Sequence, residues 1–356
     1  MTMENLRFLA MTFSLDLAWG LSYIYLMLEI YDLYGISGYF LAVSLGAVVN
    51  FLGTLIFSLI KYRRFILISI TLPSSLLLYF ALNNTNYFIM SVLLNLLSCY
   101  EPLILESLFG EMEGGEASGT YYTISGLGSV LGLLIGGFLV DSIGTKNLLL
   151  ISSIICLLSS MTVPKVMDSR EAKWELNSSI IGLLMPILIL EGFVTPLTYT
   201  LLEIKLYEFF GRSSSIVGLL FSLSMLLDII FGPVMGKIVD KVGGIISFLS
   251  SSLLLLVHLT LCAFLEDGII LMYLLLVPIQ PFYYSSRNKL AIELTGRSEG
   301  LSISLPIATS SLSHAIFYGI YPSLMSSLNY AIPLLSLLFF VTLIPLKLKS
   351  PDLTYL

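Results

Sequence analysis

Apolar runs long enough to cross a bilayer follow one another along nearly the whole chain, separated by short polar turns. A bilayer core about 30 Å thick takes about 20 apolar residues per helical crossing. By that rule the runs predict twelve spans, at approximately 8–30, 36–60, 65–83, 87–110, 119–140, 147–164, 179–204, 214–236, 244–264, 269–291, 300–324 and 329–346. Hydrocarbon offers no partner to a backbone N–H or C=O, so such runs fold as helices. What remains is turns and tails, with no room for a soluble domain. Composition agrees, since 57% of the 356 residues are hydrophobic and 11% are charged, against about 25% charged in a soluble domain.

Lysine and arginine supply an orientation, because short loops retain them on the cytoplasmic side. With an even number of spans and the amino terminus inside, twelve of these residues fall on the inner side and three, Lys146, Lys205 and Arg212, on the outer. The expectation is a multi-pass cell-membrane protein with both termini cytoplasmic. The opening residues are weakly basic and no small-residue cleavage pattern follows, so the first run reads as a retained helix. Cys99, Cys156 and Cys262 all lie in apolar runs without C-x-x-C spacing and read as small hydrophobes. No disulfide, metal, cofactor or nucleic-acid partner is expected; the net charge of -6 would argue against nucleic acid in a soluble protein, and here the distribution of the charges matters more than their sum.

The longest polar interval, Pro164 to Ser179, divides the spans six and six. This predicts an amino-terminal unit over 1–163, a cytoplasmic linker over 164–179 and a carboxy-terminal unit over 180–356. The halves echo each other: Asp16 and Glu191 fall in the first span of each, Glu29 and Glu203 near its outer end, and Gly35 and Gly211 after it. Glu106 and Glu293 end the fourth and tenth spans. Weak internal symmetry of this kind is what a duplicated six-helix unit predicts.

Between the eighth and ninth spans the chain reads Gly236-x-Ile238-x-Asp240-Lys241-x-Gly243-Gly244. This hairpin is similar to the G-x-L-x-D-R/K-x-G-R/K signature of the major facilitator superfamily of secondary transporters. The resemblance implies an all-α membrane protein of twelve transmembrane helices in two pseudo-symmetric six-helix bundles. It also implies that Asp240 approaches the positive amino-terminal end of a helix in the other half and favours closure of the cytoplasmic ends. Glu106 would partner Lys61, Arg63 and Arg64, and Glu293 would partner Lys241. In the first half the equivalent loop has Phe57 where the acid belongs and Ile60 where the second glycine belongs. Gly119, Gly128, Gly132, Gly136 and Gly137 in the fifth span resemble the glycine pattern of antiporters of that superfamily, with Leu133 in place of its proline. Glycines at such intervals also let any neighbouring helix approach closely.

Ionisable residues inside spans are costly and call for a role. Asp16, Glu101, Glu191, Asp228 and Arg287 are the charged ones. The first, fourth, seventh and tenth spans line the central cavity in the resembled family, and four of the five charges fall there. Glu101 and Arg287 are expected at similar depth on facing helices, either as a static pair registering the halves or as a pair broken by substrate or proton. Asp16 and Glu191 are candidates to carry a proton, or interhelical hydrogen-bonding groups. The expected function is a secondary active transporter, not an enzyme, moving a small organic solute by alternating access, coupled to protons and working as a monomer. The glycine pattern tilts toward efflux, with uptake by proton symport of a sugar, amino acid or organic acid as the alternative. Two other classes are a non-transporting membrane sensor or scaffold and an intramembrane enzyme. His258 and His314 lack a serine elbow, no Gly-x-Gly-Asp occurs, and no Walker sequence supports direct ATP drive.

Overall fold

The computed structural model describes residues 3–60, 62–83, 86–109, 114–163, 178–195, 200–295 and 301–324. Among these the chain is helix joined by turns, with no strand. Chain order is α1 (Met3–Leu59), α2 (Arg63–Asn83), α3 (Tyr87–Leu96), α4 (Glu101–Phe109), α5 (Gly114–Ser159), a 3-10 turn (Ser160–Thr162), α6 (Ser178–Thr195), α7 (Leu201–Phe209), α8 (Ser214–Val242), α9 (Gly244–Phe264), α10 (Gly268–Leu275), α11 (Gln280–Thr295) and α12 (Leu301–Leu324). Among the described residues, seven helical stretches are long and apolar enough to cross a membrane, and eight if α10 and α11, bent by 41° at their break, count as one. Pro278 lies in that break, where a missing N–H and a restricted preceding residue stop the helix. Large apolar side chains such as Phe138, Ile68, Ile230 and Leu254 are exposed on the outside of the body. A surface of that kind belongs in lipid, so this is a membrane-embedded helical protein.

Expected and observed elements differ in how the chain is divided. The first two expected spans run together as α1, and the fifth and sixth as α5. A straight helix of 57 residues would be about 85 Å long, far more than a bilayer. Each is broken instead at a glycine, Gly35 with φ 67° and Gly144 with φ 77°. No atom would meet a Cβ at either position, so the backbone angle and not space selects glycine there. The fourth expected span is α3 and α4 joined by a turn over Leu97–Tyr100, and the tenth is the bent pair α10 and α11. The seventh corresponds to α6 and α7. The twelfth, and nearly all of the expected linker, lie outside the described residues.

The three most extensive helix contacts are the first arm of α1 on the first arm of α5, α5 on α8, and the second arm of α1 on α12. Small residues set the first and second. A Cβ on Gly128 or Gly132 would collide with the carbonyl oxygens of Phe13 or Leu17, and one on Gly136 would lie 2.7 Å from that of Leu21. These pairings advance together along both chains, so the two arms run parallel. Against α8 the order reverses. Gly115 and Gly236 lie backbone to backbone, and a Cβ on Gly119 would lie 2.9 Å from the Gly232 carbonyl oxygen. Helices without a hydrophobic drive to associate gain from such close backbone approach. The α1–α12 contact is polar as well, with Ser44 donating to the Ala315 carbonyl at 2.9 Å and Ser311 to Asn50 at 2.8 Å.

Candidate functional site

The tenth expected span brings a guanidinium into the centre of the body. Arg287 on α11 is 2% exposed and donates from one nitrogen to both carboxylate oxygens of Glu191 on α6, at 3.2 and 3.4 Å. Its other terminal nitrogen lies 3.6 Å from Glu101 on α4. Tyr283 donates to Glu191 at 2.9 Å and Tyr122 to Glu101 at 2.5 Å. Asn288 accepts from the Arg287 Nε at 3.2 Å and donates to Ser118 and Tyr122. The guanidinium also stands 4.9 Å over the ring of Tyr284. One cation therefore holds two carboxylates from different parts of the chain; Tyr283 and Tyr122 supply further donors to those carboxylates, and Asn288 supplies an acceptor to the guanidinium.

The expected Glu101–Arg287 pair is thus the longer arm of a three-charge cluster whose shorter arm is Glu191. Asp16 and Glu191, matched by sequence position, sit in different settings. Asp16 lines the central cavity opposite Ser125, while Glu191 is packed behind the wall at 2% exposure. The cavity has a volume of about 500 Å³ and is bordered by α1, α3, α4, α5, α7, α8, α10, α11 and α12. Its carboxylates are Asp16, Glu101, Glu203 and Asp228, with Arg287 and His314 facing them. Glu203 is 8% exposed; Tyr39 donates to its Oε2 at 2.8 Å, and its Oε1 is buried without a hydrogen-bond partner. Position alone singled out Glu203 only as the echo of Glu29, which accepts from Tyr87 at 2.7 Å.

At one end of the α5–α8 contact, Asp240 accepts from the backbone N–H of Gly115 at 3.0 Å and of Glu116 at 2.9 Å. Those two donors belong to the first turn of α5, where helical N–H groups have no partner in the helix and the dipole favours an anion. Lys289 on α11 completes the contact at 2.9 Å from Asp240. The side chain beside Asp240 in sequence, Lys241, is exposed. Glu293 bonds the N–H of Gly244 with both oxygens, at 3.0 and 2.9 Å, and so caps the start of α9. Its role at the hairpin is on the backbone, not on Lys241 as expected. Gly243 turns the chain with φ 91°. Glu106 is buried at 5%, Arg63 is half-buried and Arg64 exposed. Phe57, at the place of the missing acid, is 3% exposed and stacks on Tyr100 with ring centres 4.7 Å apart.

The opposite end carries a second set of contacts that the sequence reading missed. Tyr207 donates to Asp32 at 2.7 Å, Tyr31 to Glu208 at 2.8 Å, and Ser215 to Asp141. Arg212, with φ 64°, lies 3.6 Å from Asp32 and 3.3 Å from Glu208. The clue available was the position of these polar residues beside Gly35, Gly144 and Gly211, the three tight breaks at that end. Of the five expected helix-packing glycines, Gly128, Gly132 and Gly136 meet α1, Gly119 meets α8, and Gly137 faces the Tyr25 hydroxyl and Ser215. Gly115, Gly126 and Gly218 belong to the same close packing and were not singled out. Among the described residues no cluster of His, Cys, Asp or Glu is arranged to hold a metal ion.

Fold and site together define a polytopic helical membrane protein with a charged central cavity bridged by polar contacts at both ends. No family model matches the chain, and no curated protein matches it.

Proposed function

We propose that this chain is a secondary active transporter of a small organic solute, built as twelve spans in two pseudo-symmetric six-helix bundles over 1–163 and 180–356. Its organisation resembles the major facilitator superfamily. The observation that carries the reading is the cavity of about 500 Å³ with separable contacts at each end. Alternating access needs a site near the midplane and closures on either side that can be broken in turn. Asp240 on the α5 terminus provides one closure, and the Asp32, Tyr207, Glu208 and Arg212 group the other.

The helix contacts support the two-bundle arrangement. Numbered as expected spans, the second packs on the eleventh and the fifth on the eighth. Exchanging the halves turns one pairing into the other, as a two-fold relation requires. Gly35 and Gly211, which the halves place alike, share φ 67°. The cavity carboxylates supply groups able to take up and release a proton, and Asp16 is the one offered for coupling, with Glu101 reporting the state of Arg287. The direction offered is efflux from a cell whose cytoplasm faces the Asp240 end. Uptake by proton symport differs only in the sign of the coupling. Phe57 favours a further reading, a non-transporting sensor, because a stacked aromatic stands where a second acidic latch would be.

Purified protein in liposomes tests these readings. With a pH gradient imposed, transport predicts solute-dependent proton movement that falls at least tenfold in Asp16→Asn or Glu101→Gln. Arg287→Met should unfold or strongly destabilise the protein, because it leaves Glu191 buried without its cation, at a cost of about 3–5 kcal/mol. Normal coupling in both acid variants removes these assignments. Solute binding without flux moves the reading to a sensor.

A further inference from the structure

Charge balance within the cavity differs from what a site for an anion or a neutral solute needs. Asp16, Glu101, Glu203 and Asp228 line it, and Glu191 stands behind its wall. The single arginine is taken up by Glu191 and Glu101. Lys205, which follows Glu203 on α7, donates to the carbonyls of Cys262 and Leu265 at the end of α9. An entering anion would therefore meet four carboxylates with no free lysine or arginine among the described residues lining the cavity; the one basic group left is the His314 imidazole, whose Nε2 has no hydrogen-bond partner.

A second observation stands apart from the count of acids. Glu203 is more than nine-tenths buried, lines the cavity, and keeps one oxygen bonded to Tyr39 while Oε1 has no partner. A buried acceptor left unmatched is costly and calls for a donor. The cavity walls are also aromatic: Trp19 stacks on Tyr23 at 4.7 Å, and, beside Arg287 and Glu101, Tyr122 lies 5.6 Å from Tyr284. Such rings attract cations through their faces, and Tyr284 already does so with Arg287 at 4.9 Å.

We infer that the cavity binds an organic ammonium cation carrying at least one N–H, with Glu203 as the acceptor of that N–H and the other lining carboxylates and rings supplying charge complementarity. The inference rests on reading this cavity as the transport site, and names its substrate class. The ammonium donates to Glu203 Oε1, and its charge offsets carboxylates that the protein itself leaves uncompensated. A volume of about 500 Å³ falls in the range of small-molecule sites, roughly 300–1,000 Å³, and so admits a one- or two-ring amine.

Trp19 is a reporter in place. The chain has two tryptophans, so Trp174→Phe leaves the one in the cavity wall. In that background three probes sharing a phenylethyl group separate the contributions: 2-phenylethylammonium, 2-phenylethanol and 3-phenylpropanoate. Binding is read by Trp19 emission and by equilibrium dialysis. The ammonium should bind saturably, at least tenfold tighter than the alcohol, and the carboxylate should not bind. Glu203→Gln and Asp228→Asn should each weaken the ammonium at least tenfold, with helical circular dichroism and thermal midpoint retained. Equal binding of alcohol and ammonium, tighter binding of the carboxylate, or unchanged affinity in folded Glu203→Gln overturns the inference. If either variant fails to fold, Asp16→Asn carries the same expectation and the same overturning result. Ammonium binding without flux in liposomes upholds the cation site and removes the transport reading. Flux of an anion without ammonium binding does the reverse.

Discussion

At one end of the α5–α8 pair a single carboxylate, Asp240, 10% exposed, takes two backbone N–H bonds and one ammonium. At the other end the corresponding contacts are made by side chains alone, and Asp32, Glu208 and Arg212 are 41%, 49% and 60% exposed. Backbone donors at a helix start are fixed before the carboxylate arrives, so little conformational freedom is lost when they bond. Exposed pairs of long side chains lose that freedom and share their field with water and salt, which leaves each worth about 0–1 kcal/mol. The end that holds Asp240 is the firmer closure. The end that holds Arg212 is the one expected to open first.

Packing behind the latch gives the sharpest way to break this comparison. A Cβ on Gly236 would collide with the carbonyl oxygen of Gly115, whose N–H is one of the donors to Asp240. Gly236→Val should separate α5 from α8 at that end, at an overpacking cost of about 1–3 kcal/mol, lower the thermal midpoint and expose the interior. In a cysteine-free background, a cysteine at Ser118, itself fully buried, would then be labelled at least tenfold faster. Unchanged labelling would mean that the backbone contact is not what closes this end.

Next comes the carboxylate itself. Asp240→Asn keeps an acceptor but removes the charge facing the α5 terminus and Lys289. Hydrogen bonds to charged groups contribute about 1.5–3 kcal/mol, so labelling at Ser118 should rise by about tenfold, a factor that corresponds to about 1.4 kcal/mol. Lys289→Met should act in the same direction and more weakly, and the double variant should fall short of the sum, because both members share one contact. Strict additivity would show that Lys289 and Asp240 act apart.

The smallest effect belongs to the exposed end. Arg212→Ala should change labelling of a cysteine at Ser214 by less than about fivefold, in keeping with about 0–1 kcal/mol for exposed pairs. That difference should fade as salt rises, since screening shortens to about 3 Å at 1 M. An effect larger than that of Asp240→Asn, or one that survives high salt, would reverse the ranking of the two ends.

The hairpin at Gly236 to Gly244 was legible because its signal is local: an acid, two lysines and glycines between two apolar runs. That Asp240 would meet a helix terminus came from resemblance. That the terminus is α5 and the cation Lys289 came from tertiary packing, since Lys289 stands 49 residues away and the nearer Lys241 is exposed. The glycine stripe of α5 was visible as a stripe. Its division into a face for α1 and a face for α8 was not, because spacing along one helix does not say which neighbour lies on which side. Likewise the absent acid at Phe57 was plain, while its burial against Tyr100 was not.

Helical secondary structure in lipid, the tight glycine turns and the set of intramembrane charges follow from the amino-acid order. They depend on hydrogen bonds within four residues, on apolar length and on φ angles that only glycine adopts freely. Which carboxylates Arg287 holds, which of them line the cavity, and which acceptor is left open at Glu203 depend on the rotation and depth of helices far apart in sequence. Close packing at Gly115, Gly128 and Gly132 sets those, since a few ångströms of helix shift would bring a different residue to the guanidinium.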